Sequence, residues 1–314
     1  MNIKKILKIV LPLVLGGFLV WYSISKISID VLIGYFKEAK YGWIGLGLFF
    51  GILSHLSRAY RWKFMLEPLG FKPKFTNSVL AVLVGYLVNL ALPRAGEISR
   101  AAVMANYEEI PFEKGFGTIV AERIADLIMM LCIITITLFV QFDFIYELLT
   151  KNFNPTKIVI GLAVLFIGFY ILTSFVKKAK KGFLLKIKTF VSGLIEGVTS
   201  IFKMKNKWAF IFHTVFIWAM YVAMFWATIP AIEGLNVPLG GILIGFIAGG
   251  FSIAATNGGV GLYPIAVAGA LALFGIAEEP ATAFGWIMWT AQTAMIIVFG
   301  GLAFLFLPIY NKNK

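Results

Sequence analysis

The chain has 314 residues, 60% of them hydrophobic, with a mean hydropathy of +0.89. Apolar runs of about 20 residues recur, the length that crosses ~30 Å of hydrocarbon. This excludes a soluble enzyme and leaves no charged stretch long enough to build a separate soluble core, so the net charge of +13 reads as lysine and arginine gathered in cytoplasmic loops, not as nucleic-acid binding.

The predicted elements follow in chain order. Lys4, Lys5 and Lys8 precede a first span from Leu7 to Ser25. Its apolar part is long for a secretory signal and lacks a small-residue cleavage site, so an uncleaved first helix is expected. A loop from Lys26 to Lys40 leads to a second span, Tyr41 to Leu56, and then to a basic run with Arg58, Arg61, Lys63, Lys72 and Lys74. Tyr60 and Trp62 in that run suit an interface belt. An apolar helix from Asn77 to Ala91 ends at Leu92-Pro93, because proline disfavours helix for the residue before it. A short helix from Glu97 to Ala105 follows, then a span from Gly117 to Val140, a loop to Pro155, and a span from Ile158 to Val176. Residues 177–207 alternate lysines with apolar residues at helical spacing. They read as a basic amphipathic helix lying on an anionic lipid surface, or packed on the protein's own cytoplasmic face. A span from Trp208 to Ile232 follows. Residues 237–275 are apolar but broken by Asn257-Gly258-Gly259 and Pro264, and the last span runs from Ala281 to Leu307.

The distribution of positive charge constrains the topology. With Lys4 and Lys5 in the cytoplasm, the basic run after the second span is cytoplasmic as well. The lysines of 177–207 then fall on the same side only if 76–105 dips into the membrane and returns. The same argument for 237–275 leaves Lys312 and Lys314 inside. The two broken segments therefore enter from opposite faces, with Gly85 matching Gly250 and Gly96 matching Gly261. This is the pattern of an inverted repeat around a midplane site. The fold expected is all-α: a polytopic bundle of about six full spans plus two broken re-entrant hairpins. It forms one membrane domain over 1–314, with repeat halves 41–176 and 208–308 joined by 177–207.

Asn89, Arg94, Glu97, Arg100, Glu122, Arg123 and Asp126 stand among these apolar stretches. A charge at a helix centre costs about 2.5–3.5 kcal/mol on insertion scales, so these side chains must pair, face a wet cavity or sit near an interface. Glu122 and Asp126 are four apart and share a helix face, and Arg94 or Arg100 can neutralise them across the hairpin. The set reads either as an ion-pair network pinning the hairpin or as a site for a charged headgroup, for which the planar guanidinium fork suits phosphate. Asn257, Gly258 and Gly259 add exposed backbone and close approach, or simply tight helix packing. His213 reads as an interhelical hydrogen-bonding residue, and Gln292 can serve in the same way. With two histidines and one cysteine, Cys132, neither a metal site nor an intramolecular disulfide is expected. No catalytic constellation and no cofactor motif stands out.

The run Asn89-x-x-x-Pro93-Arg94-x-Gly96-Glu97-x-x-Arg100, then Glu122-Arg123-x-x-Asp126, resembles the signature of the lysylphosphatidylglycerol synthase transmembrane-region family, the flippase-like or UPF0104 proteins. Gly258-Gly259-x-Gly261 resembles that family's glycine-rich motif, although Ala254, Ala255 and Thr256 stand where prolines are usual and Tyr263-Pro264 where a glutamate is. The bifunctional synthases carry a soluble acyltransferase-like domain that is not seen in this chain, so the resemblance implies the translocating part and no enzyme activity. The expectation is a flippase-like transporter in the cytoplasmic membrane, both termini cytoplasmic, handling lipids with phosphate headgroups. Its partners would be a second copy or a lipid-modifying enzyme. The rivals are a membrane-embedded headgroup transferase and a non-catalytic scaffold.

Overall fold

The computed structural model describes residues 14, 16–92, 94–152, 161, 185, 188, 201 and 204–312. Every regular element among them is helical. Contacts divide the chain into two units, Met1–Glu122 with Trp208–Lys314, and Arg123–Lys207.

In the first unit, α1 (Gly16–Ser25) meets α2 (Ile29–Glu38) at 83°. The expected loop from Lys26 to Lys40 is thus mostly helix. Ser28 caps it by accepting a hydrogen bond from the Val31 amide at 3.3 Å, and Asp30 and Lys37 complement the helix dipole at the two ends. Leu32, Tyr35 and Phe36, spaced three and one apart, pack on the core, while Ile29, Val31 and Ile33 remain exposed.

The larger correction concerns α3. It runs unbroken from Tyr41 to Leu66, ten residues beyond the expected stop at Leu56. The basic run carries no helix breaker before Pro68, where a 3-10 turn (Glu67–Leu69) and Gly70 at φ 90° close the helix. Ser54, Arg58, Arg61 and Met65 recur at spacings of three and four and are all buried, so this face packs inward. Trp62 is fully buried, not at an interface.

Helices α4 (Phe75–Ala91) and α5 (Ala95–Glu108) form an antiparallel hairpin. Asn77 at the start of α4 donates to Glu108 at the end of α5, and near the turn Asn89 Oδ1 accepts from the Gly96 amide at 2.7 Å. The helices touch through glycine: a Cβ at Gly96 would run into the Gly85 carbonyl oxygen, and one at Gly85 would lie 2.7 Å from the Arg100 side chain. Pro93 lies outside the described residues.

Helix α6 (Phe112–Val140) begins five residues ahead of the expected span, and the division between the units falls within it, after Glu122. In the second unit α7 (Phe142–Asn152) replaces part of the expected loop. Its cause is local: Asp143 in the first turn and Lys151 in the last complement the dipole. The expected span Ile158–Val176 and nearly all of 177–207 lie outside the described residues.

The first unit resumes with α8 (Lys207–Thr228), which a 3-10 turn extends through Ala231. A second antiparallel hairpin follows, α9 (Leu239–Ala255) and α10 (Leu262–Ala272). Three glycines four apart set its closeness. A Cβ at Gly241, Gly245 or Gly249 would meet Phe274 at 3.4 Å, Leu271 at 3.5 Å or Tyr263 at 2.7 Å. Helix α11 (Glu278–Tyr310) ends the bundle and runs through Pro308. Its Phe284 ring meets Phe225 of α8 edge-on at 5.1 Å in a core shared with Val267, Leu271 and Ile287.

Among the described residues, Phe112–Val140, Lys207–Ala231 and Glu278–Tyr310 are long and apolar enough to cross a membrane, and the bent α1–α2 pair makes a fourth if it is one span. This is an all-helical membrane protein.

Candidate functional site

Three helices of the first unit deliver charge to one buried point. α3 presents Arg58 and Arg61, α5 presents Arg100, and α6 presents Glu122. All four side chains are at most 3% exposed. Arg58 Nη1 lies 2.5 Å from Glu122 Oε1 and Arg61 Nη2 lies 3.4 Å from the same oxygen. Arg100 forks onto the carboxylate, Nη1 to Oε1 and Nη2 to Oε2, each at 3.2 Å. Burying one such charge without partners is costly, so each residue here requires the others.

Neighbours fix the orientation of the guanidinium groups. Arg100 lies flat over Trp62, 4.2 Å from guanidinium carbon to ring centre, and Trp62 Nε1 donates to Thr118 Oγ1 at 2.8 Å. Arg61 Nη1 donates to Thr214 Oγ1 at 2.9 Å, with the guanidinium 5.3 Å from the Phe210 ring centre. A guanidinium carries five N–H donors in a fixed fork, whereas a carboxylate accepts at about four positions. Three arginines therefore bring more donors than Glu122 can take. The Nε–H of Arg100 is buried with no hydrogen-bond partner among the described residues.

The residues singled out in the sequence divide. Arg100 and Glu122 form the centre. Arg94 is exposed at the turn of the first hairpin, in left-handed backbone at φ 59°, and has no ion-pair partner among the described residues. Glu97 is half-buried and receives a long contact from Asn89 Nδ2 at 3.4 Å. In the second unit Arg123 pairs with Asp126 at 3.4 Å, one turn along α6, and Asp126 is buried. Asn257, Gly258 and Gly259 form the turn of the second hairpin. The two turns touch: Asn257 Nδ2 lies 3.4 Å from the Leu90 carbonyl oxygen, and a Cβ at Gly258 would lie 3.0 Å from Leu90. Gly258 and Gly259 both have positive φ, 66° and 82°, which explains the glycine pair. Trp289 Nε1 donates to the Gly258 carbonyl at 2.8 Å and holds the turn.

Arg58, Arg61 and Trp62 are the residues that sequence reasoning missed. The signal was present in the helical spacing of Ser54, Arg58, Arg61 and Met65. Reading the basic run as a cytoplasmic loop concealed it.

Residues 9–301 match the family of the lysylphosphatidylglycerol synthase TM region. The chain belongs to that family. Among relatives, a UPF0104 membrane protein of Methanocaldococcus jannaschii is 29% identical over 201 residues, 61% of this chain and 55% of its own length. The chain thus spans about half the length of that relative. No solved structure matches. Membership of the synthase TM-region family places both motifs quoted from the sequence, the first-hairpin run and the glycine turn, inside the matched residues.

Proposed function

We propose that the protein is a flippase-like carrier, and not an enzyme, that moves a phosphate-bearing lipid headgroup across the cytoplasmic membrane. The observation that carries this is the convergence of Arg58, Arg61 and Arg100 on Glu122 inside an apolar bundle. An arriving phosphate takes over part of the fork that Arg100 gives to Glu122 and uses its idle Nε–H. A charge-assisted, bidentate contact of this kind is about twice as strong as a neutral hydrogen bond. Family membership supports a membrane lipid role.

The hairpins suit alternating access. α10 has 11 residues, about 17 Å of helix at 1.5 Å per residue, well short of a ~30 Å core. Hairpins entering from opposite faces as an inverted repeat would meet turn to turn near the midplane, and the Asn257–Leu90 contact fits that arrangement. Both termini then lie in the cytoplasm, residues 177–207 lie against anionic lipid, and the remaining spans complete the count of about six.

The test is reconstitution in vesicles containing fluorescent phosphatidylglycerol, with dithionite reporting the outer leaflet. Wild type should raise headgroup exchange over empty vesicles, and Arg100→Gln should remove most of that rise. Exchange equal to wild type in folded Arg100→Gln would overturn the reading.

A further inference from the structure

Helix α2 is set apart from the rest of the first unit by its seating. It meets α1 at 83°. With α1 crossing the membrane as the end of the first span, α2 lies along the surface. Its 10 residues make about 15 Å of helix, half of a ~30 Å hydrocarbon core. None of them is fully buried.

At about 100° per residue, Val31, Tyr35, Leu32, Phe36, Ile29 and Ile33 succeed one another round the helix. Lys37, Asp30, Gly34 and Glu38 fill the remaining arc. The middle of the apolar arc, Tyr35, Leu32 and Phe36, packs on the core that holds Ile232 and Leu235 ahead of α9 and Ala281 in the first turn of α11. The arc extends past that contact. Ile29 and Ile33, one turn apart at the edge next to the charged arc, are 59% and 44% exposed. Asp30, Lys37 and Glu38 are exposed as well, and none of them has an ion-pair partner among the described residues. At membrane depth each such charge would cost about 2.5–3.5 kcal/mol, so the charged arc stands in water. Core on one side and water on the other leave Ile29 and Ile33 on a flank between them.

Two further features say what covers that flank. Exposed aromatic residues bracket the helix: Trp21 and Tyr22 near the end of α1, Tyr41 and Trp43 in the first turn of α3. Such residues gather where hydrocarbon meets headgroups. Their polar tips are engaged locally: the Lys26 ammonium lies 5.5 Å from the Tyr22 ring centre, and the Tyr41 hydroxyl donates to the Phe36 carbonyl at 2.7 Å. Ion pairs mark both ends of α2, Lys26 with Glu278 at 3.4 Å and Lys40 with Glu233 at 3.5 Å, and all four side chains are at least 41% exposed. The boundary between water and hydrocarbon thus runs along α2.

We infer that α2 is an interfacial helix seated at the headgroup–acyl boundary of the bilayer, with its Ile29–Ile33 flank against lipid. It is then no part of a bent span with α1. With Lys37 set against Asp30 and Glu38, the helix carries no basic patch, so it inserts by apolar area and selects no anionic headgroup. Its two ion pairs, and the bond from the Lys40 amide to the Ala231 carbonyl at 2.9 Å, tie it to the segments on either side of the second hairpin. It therefore holds the end of that hairpin remote from its turn at the membrane surface. This is independent of the headgroup reading of the arginine cluster.

The test is spin-label depth measurement on the full-length protein in phosphatidylcholine vesicles. The labelled variants are Ile29→Cys, Ile33→Cys, Lys37→Cys and Ile297→Cys, each in a Cys132→Ser background. Ile297, exposed near the middle of α11, is the reference for the bilayer interior. Collision with oxygen, which partitions into lipid, is compared with collision with a nickel chelate, which stays in water. Labels at Ile29 and Ile33 should favour oxygen, about 5–10 Å into the headgroup–acyl boundary. The label at Lys37 should favour the chelate, and that at Ile297 should lie deepest. Adding phosphatidylglycerol should leave these depths unchanged. Labels at Ile29 and Ile33 as open to the chelate as Lys37 overturn the inference, because the flank then faces water. Labels at Ile33 and Lys37 both as deep as Ile297 overturn it too, because α2 then belongs to a span or a re-entrant loop. Spin–spin broadening at Ile33 that vanishes on mixing with excess unlabelled protein puts a second copy of the chain on the flank and overturns it as well. A seat found only with phosphatidylglycerol present overturns insertion by apolar area. All four labelled positions are exposed, so each variant should keep the wild-type melting temperature in detergent, and two flank positions guard against the loss of one.

Discussion

The guanidinium of Arg100 lies flat on the Trp62 ring at 4.2 Å while its two Nη groups grip both oxygens of Glu122. Stacking and forking together require a planar cation, which an ammonium cannot replace. Arg100→Lys should therefore behave like a loss and not like a conservative change. We expect headgroup exchange in vesicles to fall at least tenfold, and Trp62→Leu to give a smaller fall. Lysine that restores wild-type exchange would show that charge alone suffices.

Glu122 is an acceptor for three buried arginines, so removing its charge takes a shared counter-ion from all of them. Breaking such a pair costs about 3–5 kcal/mol. Glu122→Gln should lower the detergent melting temperature by many degrees, and Arg58→Gln should cost less in that background than in wild type. Additive losses would mean that the two residues are not coupled.

Glycine matters unequally along the chain. A Cβ at Gly96 would strike the Gly85 carbonyl oxygen, whereas a Cβ at Gly301 in α11 meets nothing within 4 Å. Gly96→Ala should force the first hairpin apart at about 1–3 kcal/mol. Gly301→Ala should leave the melting temperature level or slightly raised, because alanine favours helix. Comparing the two melting curves checks this.

The beginning of α4 and the end of α11 are tied by a reciprocal amide pair. Asn77 and Asn311 each donate to the other's oxygen at 2.9 Å, and Asn77 also donates to Glu108. Asn311→Leu strands these buried groups at about 1–3 kcal/mol. Hydrogen exchange should speed up in the first turns of α4 and at the C-terminal end of α11. Unchanged protection there would show that the pair contributes little.

Both helix–turn–helix hairpins were legible from sequence, because glycines leave strong local signals; for the buried charges the sequence offered Arg94 or Arg100 against Glu122 and Asp126, and of these the structure joins Arg100 to Glu122. His213 also fell where expected, its Nδ1 sharing a hydrogen bond with Ser57 Oγ at 2.8 Å between α8 and α3. Gln292 reaches Tyr263 of α10 at a longer 3.4 Å. Arg58 and Arg61 escaped because the positive-inside rule treats arginine near a span end as loop charge. Their acceptor lies in another helix, a relation that no spacing within α3 displays. α2 escaped for a different reason: its cap and its inward Leu32, Tyr35 and Phe36 fit in ten residues of nearly balanced charge, which reads equally well as a loop.

The arginines of α3 bear on how the molecule is made. Synthesis runs from the N-terminus, so Arg58 and Arg61 leave the ribosome well before Glu122. During that interval each would cost about 2.5–3.5 kcal/mol at membrane depth. The last turns of α3 are then expected to wait at the membrane surface and to slide inward only when α6 supplies the carboxylate. A cysteine at Ala59 should react with a water-soluble maleimide in nascent chains truncated before α6 and be protected in the finished protein. Protection already complete in the short chains would mean that α3 seats itself alone. The cluster thus makes the order of synthesis part of the folding pathway, with an early helix completed by a late one.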